Sequence, residues 1–326
     1  MEKTLGELLS DPRIRQIAPD AIRKWDLTKE PVWNKTLQEI REHFFRSDIA
    51  KGMDRLYAAA DTGEWYYPLY TEAECAENLD RAGVNLVWLP SGKKDADERP
   101  FILLVPGGGF VNVWNLTEGW PVAARFNDLG YHVFVLTYQV DGEDGLLEKN
   151  MEDFSRALRF IRGNENKFHV HGDKYITCGF SAGGYLICLW NTNKGFIKHD
   201  LPKPQACFPV YPGTSMKIDG EEEDTDPEGT FALYGCSYEE AAASEFEIPE
   251  HAEHFPPTAI FLAADDELVD PMNSRMLASA LDRLRIPCRL EIGPEGGHGF
   301  ADGTGMCMAG WTERAVRWYE SLEKKA

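Results

Sequence analysis

Ser181 lies in Gly179-Phe180-Ser181-Ala182-Gly183, directly after the apolar run Tyr175-Ile176-Thr177-Cys178 and before Tyr185-Leu186-Ile187-Cys188-Leu189-Trp190. A serine hydroxyl acts as a nucleophile when a base takes its proton and nearby donors receive the charge that forms on the attacked carbonyl oxygen. The local pattern suits that chemistry. A strand that reverses into a helix within a few residues strains the central residue, and side chains two positions either side would collide. Glycines at 179 and 183 meet that requirement. The turn lifts the hydroxyl clear of the sheet and sets the Ala182 N–H at a helix N-terminus, aimed where an oxyanion would form. Two glycines around a serine also arise by chance, so the remaining parts decide.

Of eight histidines, His298 is the candidate base, because Gly296-Gly297-His298-Gly299-Phe300 gives its imidazole a backbone free to approach another loop. His43, His132, His169, His171, His199, His251 and His254 lack that setting and read as structural or solvated. For the acid, Ile260-Phe261-Leu262-Ala263-Ala264 reads as a buried strand, and Asp265, Asp266, Glu267 and Asp270 follow at its carboxyl end. The D-x-x-V spacing from Asp266 to Val269, with Pro271 close behind, favours Asp266, with Asp265 next. The competing reading is a solvated acidic turn, with Asp270 capping a helix that begins near Asn273. A glycine loop, Pro106-Gly107-Gly108-Gly109-Phe110, follows the strand Phe101-Ile102-Leu103-Leu104-Val105. Its bare N–H groups make Gly108 and Gly109 oxyanion donors alongside Ala182. No Gly-Lys-Ser/Thr follows, so it is not a phosphate loop. Phe110, Trp114 and Tyr211 fall at strand ends or beside this loop and are candidate pocket residues.

The four ordered motifs together resemble the esterase/lipase branch of the α/β-hydrolases, most of all bacterial acetyl-esterase and acetylxylan-esterase-like enzymes. Leu129-Gly130-Tyr131-His132-Val133-Phe134-Val135-Leu136-Thr137-Tyr138 resembles the family's helix end and next strand, and the likeness runs from about residue 85 to about residue 323. It implies an α/β fold with a mostly parallel eight-stranded sheet and helices on both faces. It also implies a Ser181-His298-Asp266 triad working through an acyl-enzyme without cofactor or metal. On the resemblance alone, the substrates are small acyl, acetyl-type esters of sugars or aryl alcohols. One departure stands out. Many relatives carry a histidine before the glycines that braces the loop by hydrogen bonding, whereas Pro106 would stiffen it by fixing φ.

An amidase of the arylformamidase type or a small peptidase would use the same triad, although 326 residues leave no room for the propeller of prolyl-oligopeptidase-type enzymes. A non-catalytic ligand receptor on this fold normally loses a triad member. The formal charge of −20 argues against nucleic acid and disfavours polyanionic substrates. Part of it is local, in the acidic run Asp219 to Asp226, which reads as a solvated loop without the spacing of a calcium loop. Seven scattered cysteines without a C-x-x-C pair suggest neither disulfide framework nor zinc, and Cys178 and Cys188 read as core residues. No membrane span is expected, and Met1-Glu2-Lys3-Thr4 opens without the basic and apolar regions of a secretory signal, which points to the cytoplasm. The expected partner is a small-molecule ester, with a homodimer left open.

The elements that must position these residues alternate from about residue 84. Strands are predicted at Val84 to Leu89, Phe101 to Val105, Val133 to Tyr138, Tyr175 to Phe180, Ala206 to Tyr211, Thr258 to Ala263 and Cys288 to Ile292. Helices are predicted near Glu118 to Leu129, Leu147 to Asn166, Ala182 to Asn191, Tyr238 to Glu245, Asn273 to Leu284 and Met306 to Glu323, with a charged hairpin turn at Ser91 to Arg99. Residues 1–62 read as a helical extension ahead of a catalytic domain at 63–326, rich in aromatics at Trp25, Trp33, Phe44, Phe45 and Tyr57. Either it packs on the sheet's outer face, or it caps Ser181 and narrows the acyl or alcohol pocket.

Overall fold

The computed structural model describes residues 2–142, 144–218 and 226–324, so the acidic run at 219–225 lies outside the described residues. Eight strands form one sheet: β1 Tyr66–Pro68, β2 Asn85–Leu89, β3 Phe101–Val105, β4 Val133–Thr137, β5 Tyr175–Phe180, β6 Ala206–Val210, β7 Thr258–Ala263 and β8 Cys288–Gly293. Their order is β1-β2-β4-β3-β5-β6-β7-β8. Antiparallel pairing is confined to β1 with β2 and β2 with β4, and every other pair is parallel. This is the α/β-hydrolase fold.

The central strands are apolar on both faces, as a parallel sheet covered by helices requires. In β3, Ile102 and Leu104 belong to one core and Phe101, Leu103 and Val105 to the other, all fully buried. Register brings the chemistry to one edge. Val105 pairs with Gly179, Phe180 with Val210, and Ala263 with Gly293, so the loops after β3, β5, β7 and β8 leave from the carboxyl ends of adjacent strands.

Three sequence expectations need correction. Ser91 to Arg99 is not a hairpin turn, because β2 pairs with β4 and β3 lies beyond it; the segment crosses over and holds one short helical turn, Ala96–Glu98. The last helix begins at Trp311 rather than Met306, since Gly303, Gly305 and Gly310 take positive φ and keep the chain turning. The predicted Leu147 to Asn166 helix runs Leu146–Gly163 and breaks before a short turn of helix at Glu165–Phe168. The strand β1 and the helix Pro227–Tyr234 were not foreseen.

The first sixty residues are mainly short helical pieces, two of which begin with reciprocal caps, Thr4 with Glu7 and Thr36 with Glu39. Leu5, Leu9, Ile14, Ile17, Ile22, Ile40, Met53 and Leu56 are buried in the same cluster as Ile102, Leu104 and Ile176. The helix Ile49–Thr62 runs against the helix Trp120–Asp128 so closely that a Cβ on Gly52 would sit 2.9 Å from the Pro121 nitrogen.

On the opposite face, buried Asp153 ties the helix Leu146–Gly163 to the sheet by accepting from the Tyr70 hydroxyl at 2.6 Å, the Gln139 N–H at 2.8 Å and the Gln139 amide at 2.8 Å. Burial, opposed by these donors, pushes its carboxyl up to about 6. Raised above its unfolded value, this group contributes stability that is full in acid and lost as pH rises through about 6. Tyr70→Phe removes a donor that favours the charged form. We expect it to cost about 1–3 kcal/mol, more at pH 8 than at pH 5; urea unfolding of both proteins at the two pH values measures the difference.

Candidate active site

Ser181 opens the helix Ser181–Leu189 immediately after β5, with φ at 49°. The backbone is held there by contact with the neighbouring strand. A Cβ on Gly183 would lie 2.2 Å from the Val105 carbonyl oxygen and 2.3 Å from that of Pro106, so only glycine lets the elbow close against the end of β3. The Ala182 N–H falls in the first helical turn, whose amides have no partner within the helix.

His298 Nε2 lies 2.9 Å from Ser181 Oγ, and His298 Nδ1 lies 2.8 Å from Asp266 Oδ2. The Asp266 side chain is 1% exposed and that of His298 15%, so the carboxylate is sealed while the imidazole still meets the cavity. The D-x-x-V spacing has a physical reason: Asp266 Oδ1 accepts the N–H groups of Leu268 at 3.0 Å and Val269 at 2.9 Å, which leaves Oδ2 for the imidazole. Asp265 has a separate task. Its carboxylate accepts the N–H of Gly297 at 2.8 Å and of Gly296 at 3.2 Å, fastening the histidine loop to the end of β7. Those two donors hold the Asp265 carboxyl below the usual range. Asp270 accepts the Met272 N–H at 2.7 Å, at the start of the helix Met272–Arg283.

Gly108 and Gly109 border the same cavity as Ser181 and His298, a space of about 1070 Å³. The loop folds on itself, the Gly107 oxygen accepting the Trp114 N–H at 3.0 Å and the Gly108 oxygen those of Val111 and Asn112. Gly108, at φ 138°, has no room for a side chain, since a Cβ would meet the Asn112 oxygen at 2.2 Å.

The three aromatic candidates separate. Trp114 lines the cavity and meets Trp25 and Phe45 edge-on, with centroids 5.3 and 5.6 Å apart. Phe110 does not line it; at φ 63° its ring turns to Tyr185, 6.0 Å away, and joins the core on the other face of the sheet. Tyr211 does not line it either, being fully buried with its ring 4.7 Å from the imidazole of His298.

Sequence reasoning missed Glu118, which it placed only at a helix start. The residue sits in a π-type turn, Asn115–Gly119, ahead of the helix Trp120–Asp128. Glu118 Oε2 accepts the Gly107 N–H at 2.6 Å and Oε1 accepts the Tyr211 hydroxyl at 2.8 Å. Burial raises its carboxyl above the ordinary range. Its two partners lie 11 and 93 positions away in the chain, so no local pattern marked it. Phe44, Phe45 and Ser47 from the N-terminal segment also line the cavity, with Leu268 and Met306. Among the described residues no three His, Cys, Asp or Glu side chains gather as metal ligands, and no helix is long and apolar enough to cross a membrane.

Residues 87–230 match the BD-FAE family model. The chain is 28% identical over 228 residues to endo-1,4-beta-xylanase B of Butyrivibrio fibrisolvens, a match covering 67% of this chain and 35% of that protein. It is 28% identical over 216 residues to an acetylxylan esterase of Xylanibacter ruminicola, covering 62% of this chain and 41% of the relative. The match therefore takes in less than half the length of either relative. Among solved structures, an acetyl ester-xyloside bifunctional hydrolase from Caldicellulosiruptor lactoaceticus superposes with a TM-score of 0.64 at 26% identity, over 79% of this chain and 96% of that one. The chain has the α/β-hydrolase fold, its central segment matches the BD-FAE model, and it is similar to carboxylic ester hydrolases.

Proposed function

We propose that this protein is a serine carboxylesterase for short, acetyl-type acyl esters of sugars or aryl alcohols. The observation that carries the reading is the unbroken relay from Ser181 through His298 to Asp266, at 2.9 and 2.8 Å, opening on a cavity. Nucleophile, base and orienting acid each stand within direct hydrogen-bond reach of the next. The names of the relatives, an acetylxylan esterase and an acetyl ester-xyloside hydrolase, support the acyl and sugar parts. Trp114 and Phe45 line the cavity with aromatic rings, side chains of the kind that pack on sugar or aryl rings.

In this reading His298 takes the Ser181 proton as Oγ bonds to the ester carbonyl carbon. The carbonyl electron pair moves onto oxygen and is met by the N–H groups of Gly108, Gly109 and Ala182. Asp266 holds the imidazole in the tautomer that accepts at Nε2 and stabilises the imidazolium without taking its proton. The oxyanion collapses, the bond to the alcohol breaks, and His298 returns the proton to the departing oxygen. Water then attacks the acyl-enzyme by the same route, releasing the acid and restoring Ser181.

The turn at residues 44–47 is read as part of the pocket wall, so the N-terminal segment would act as a partial cap. Because its apolar residues share the main core, substitution tests this better than deletion. Phe44 is 45% exposed, so Phe44→Ala should leave the melting temperature unchanged while shifting the kcat/KM ratio between acetyl and butyryl esters. An unchanged ratio removes the cap from the reading.

A fluorophosphonate probe should label the wild type and not Ser181→Ala, and p-nitrophenyl acetate should be cleaved in preference to a matched acetanilide. Preference for the amide, or for a formanilide, would make the protein an amidase instead. Since the base must be neutral to accept a proton, kcat/KM should fall on acidification; a flat profile into acid contradicts His298 as base. Asp266→Ala should lower kcat by roughly 10³–10⁴, whereas Asp265→Ala, which only loosens the loop, should cost about tenfold. Equal losses would overturn the division of labour between them.

A further inference from the structure

We propose that Glu118 is a positioning residue that fixes the oxyanion loop against the nucleophile and couples that loop to the one carrying the base. The inference rests on the serine-hydrolase reading above and deepens it. Gly107 lies close against the elbow: a Cβ there would stand 2.7 Å from the Phe180 oxygen and 2.8 Å from the Ser181 Cβ. Glu118 grips the loop at that residue, Oε2 taking its N–H at 2.6 Å. The adjoining Pro106 has no N–H and no polar side chain, so it adds only a carbonyl, which accepts the Tyr138 hydroxyl at 2.9 Å.

The other carboxylate oxygen faces the base. Tyr211 donates its hydroxyl to Glu118 Oε1 at 2.8 Å and accepts the Ala301 N–H at 3.2 Å, three residues past His298. The Tyr211 ring packs against both the His298 imidazole, 4.7 Å away, and the Phe300 ring, 4.8 Å away. A chain of direct contacts thus runs from Gly107 through Glu118, which itself borders the cavity, and Tyr211 to the His298 loop. No lysine or arginine pairs with Glu118 among the described residues, and its polar partners are Gly107 and Tyr211. A buried carboxyl without a cation is costly for folding, and position is what this one supplies.

A positioning role has a kinetic signature. Oxyanion donors act on the tetrahedral state and hardly on the bound ester, so misaiming them lowers kcat and spares KM. The test uses full-length wild type, Glu118→Gln and Tyr211→Phe, with p-nitrophenyl acetate as substrate and a methyl trifluoromethyl ketone as the tetrahedral analogue. Glu118→Gln keeps the volume but cannot accept at both oxygens. We expect kcat to fall by roughly 10–10², KM to stay within about threefold, and ketone affinity to weaken by the same factor as kcat. Tyr211→Phe should move kcat and ketone affinity in the same direction by less. A folded Glu118→Gln with unchanged kcat overturns the proposal, as does a loss confined to KM with ketone affinity intact. Should Glu118→Gln fail to fold, Tyr211→Phe decides: a kcat-only loss supports the role, and full activity overturns it. A wild type that no fluorophosphonate labels overturns the serine-hydrolase reading and this proposal with it, whereas labelling with an unaffected Glu118→Gln overturns this proposal alone.

Discussion

The close parallel pairing of β3 and β5 is the constraint on which the site depends. Val105 pairs with Gly179, so the glycine loop and the serine elbow leave the sheet side by side with no side chain between them. Gly183 lies against the Val105 and Pro106 carbonyls, and Gly107 lies against Phe180 and Ser181. Each close approach removes a degree of freedom from a loop that would otherwise wander. The positive φ of Ser181 persists because the surrounding backbone over-determines it. A methyl group at 183 would push the elbow away from β3 and separate the hydroxyl from the Gly108 and Gly109 loop that borders the same cavity.

Once the elbow is fixed, the second problem is to bring a histidine from a distant part of the chain to it. The two neighbouring aspartates divide that labour by geometry. Asp265 binds the backbone of the histidine loop and Asp266 binds the ring, so one turn after β7 sets both the position of the loop and the tautomer of its imidazole. Asp266 can serve because its other oxygen is already satisfied by Leu268 and Val269. A buried carboxylate with only one of its oxygens engaged would be costlier to hold.

Fold and site were legible in the sequence where a motif is contiguous and sits at the end of a buried strand. β3, β5 and β7 could be read to the residue because each is a mostly apolar run closed by a loop of glycine or acid. Serine, histidine and aspartate could be brought together as candidates because each carries its own local signature. What the sequence did not disclose depends on direction and distance. Phe110 and Tyr211 take positive φ, where strand and helix periodicity no longer tells which way a side chain points, so both turn away from the cavity they seemed to line. Glu118 was opaque for another reason. Its partners lie 11 and 93 positions away, and nothing local distinguishes a buried brace from an acid at the start of a helix. β1 is three residues ending in proline at the sheet edge, too short for any alternation to show.

The N-terminal segment follows the same logic of shared anchoring. The turn at residues 44–47 that borders the cavity leads into the helix Ile49–Thr62, and its orientation is set by the anchors of that helix. One anchor is steric, Gly52 against Pro121. The other is ionic: Arg125 reaches Asp48 at 3.0 Å and the fully buried Asp302 carboxylate at 3.2 Å, and donates to Thr304 at 2.8 Å. Arg125 therefore joins the N-terminal segment to the stretch just beyond His298. A guanidinium suits this place because its planar fork can serve several acceptors at once. The wall bearing Phe45 and the loop bearing the imidazole are held by one side chain, so the shape of the cavity and the aim of the base are mechanically linked. Selectivity in such a site is best altered at the exposed tip of the turn, where a ring can be replaced without disturbing either anchor.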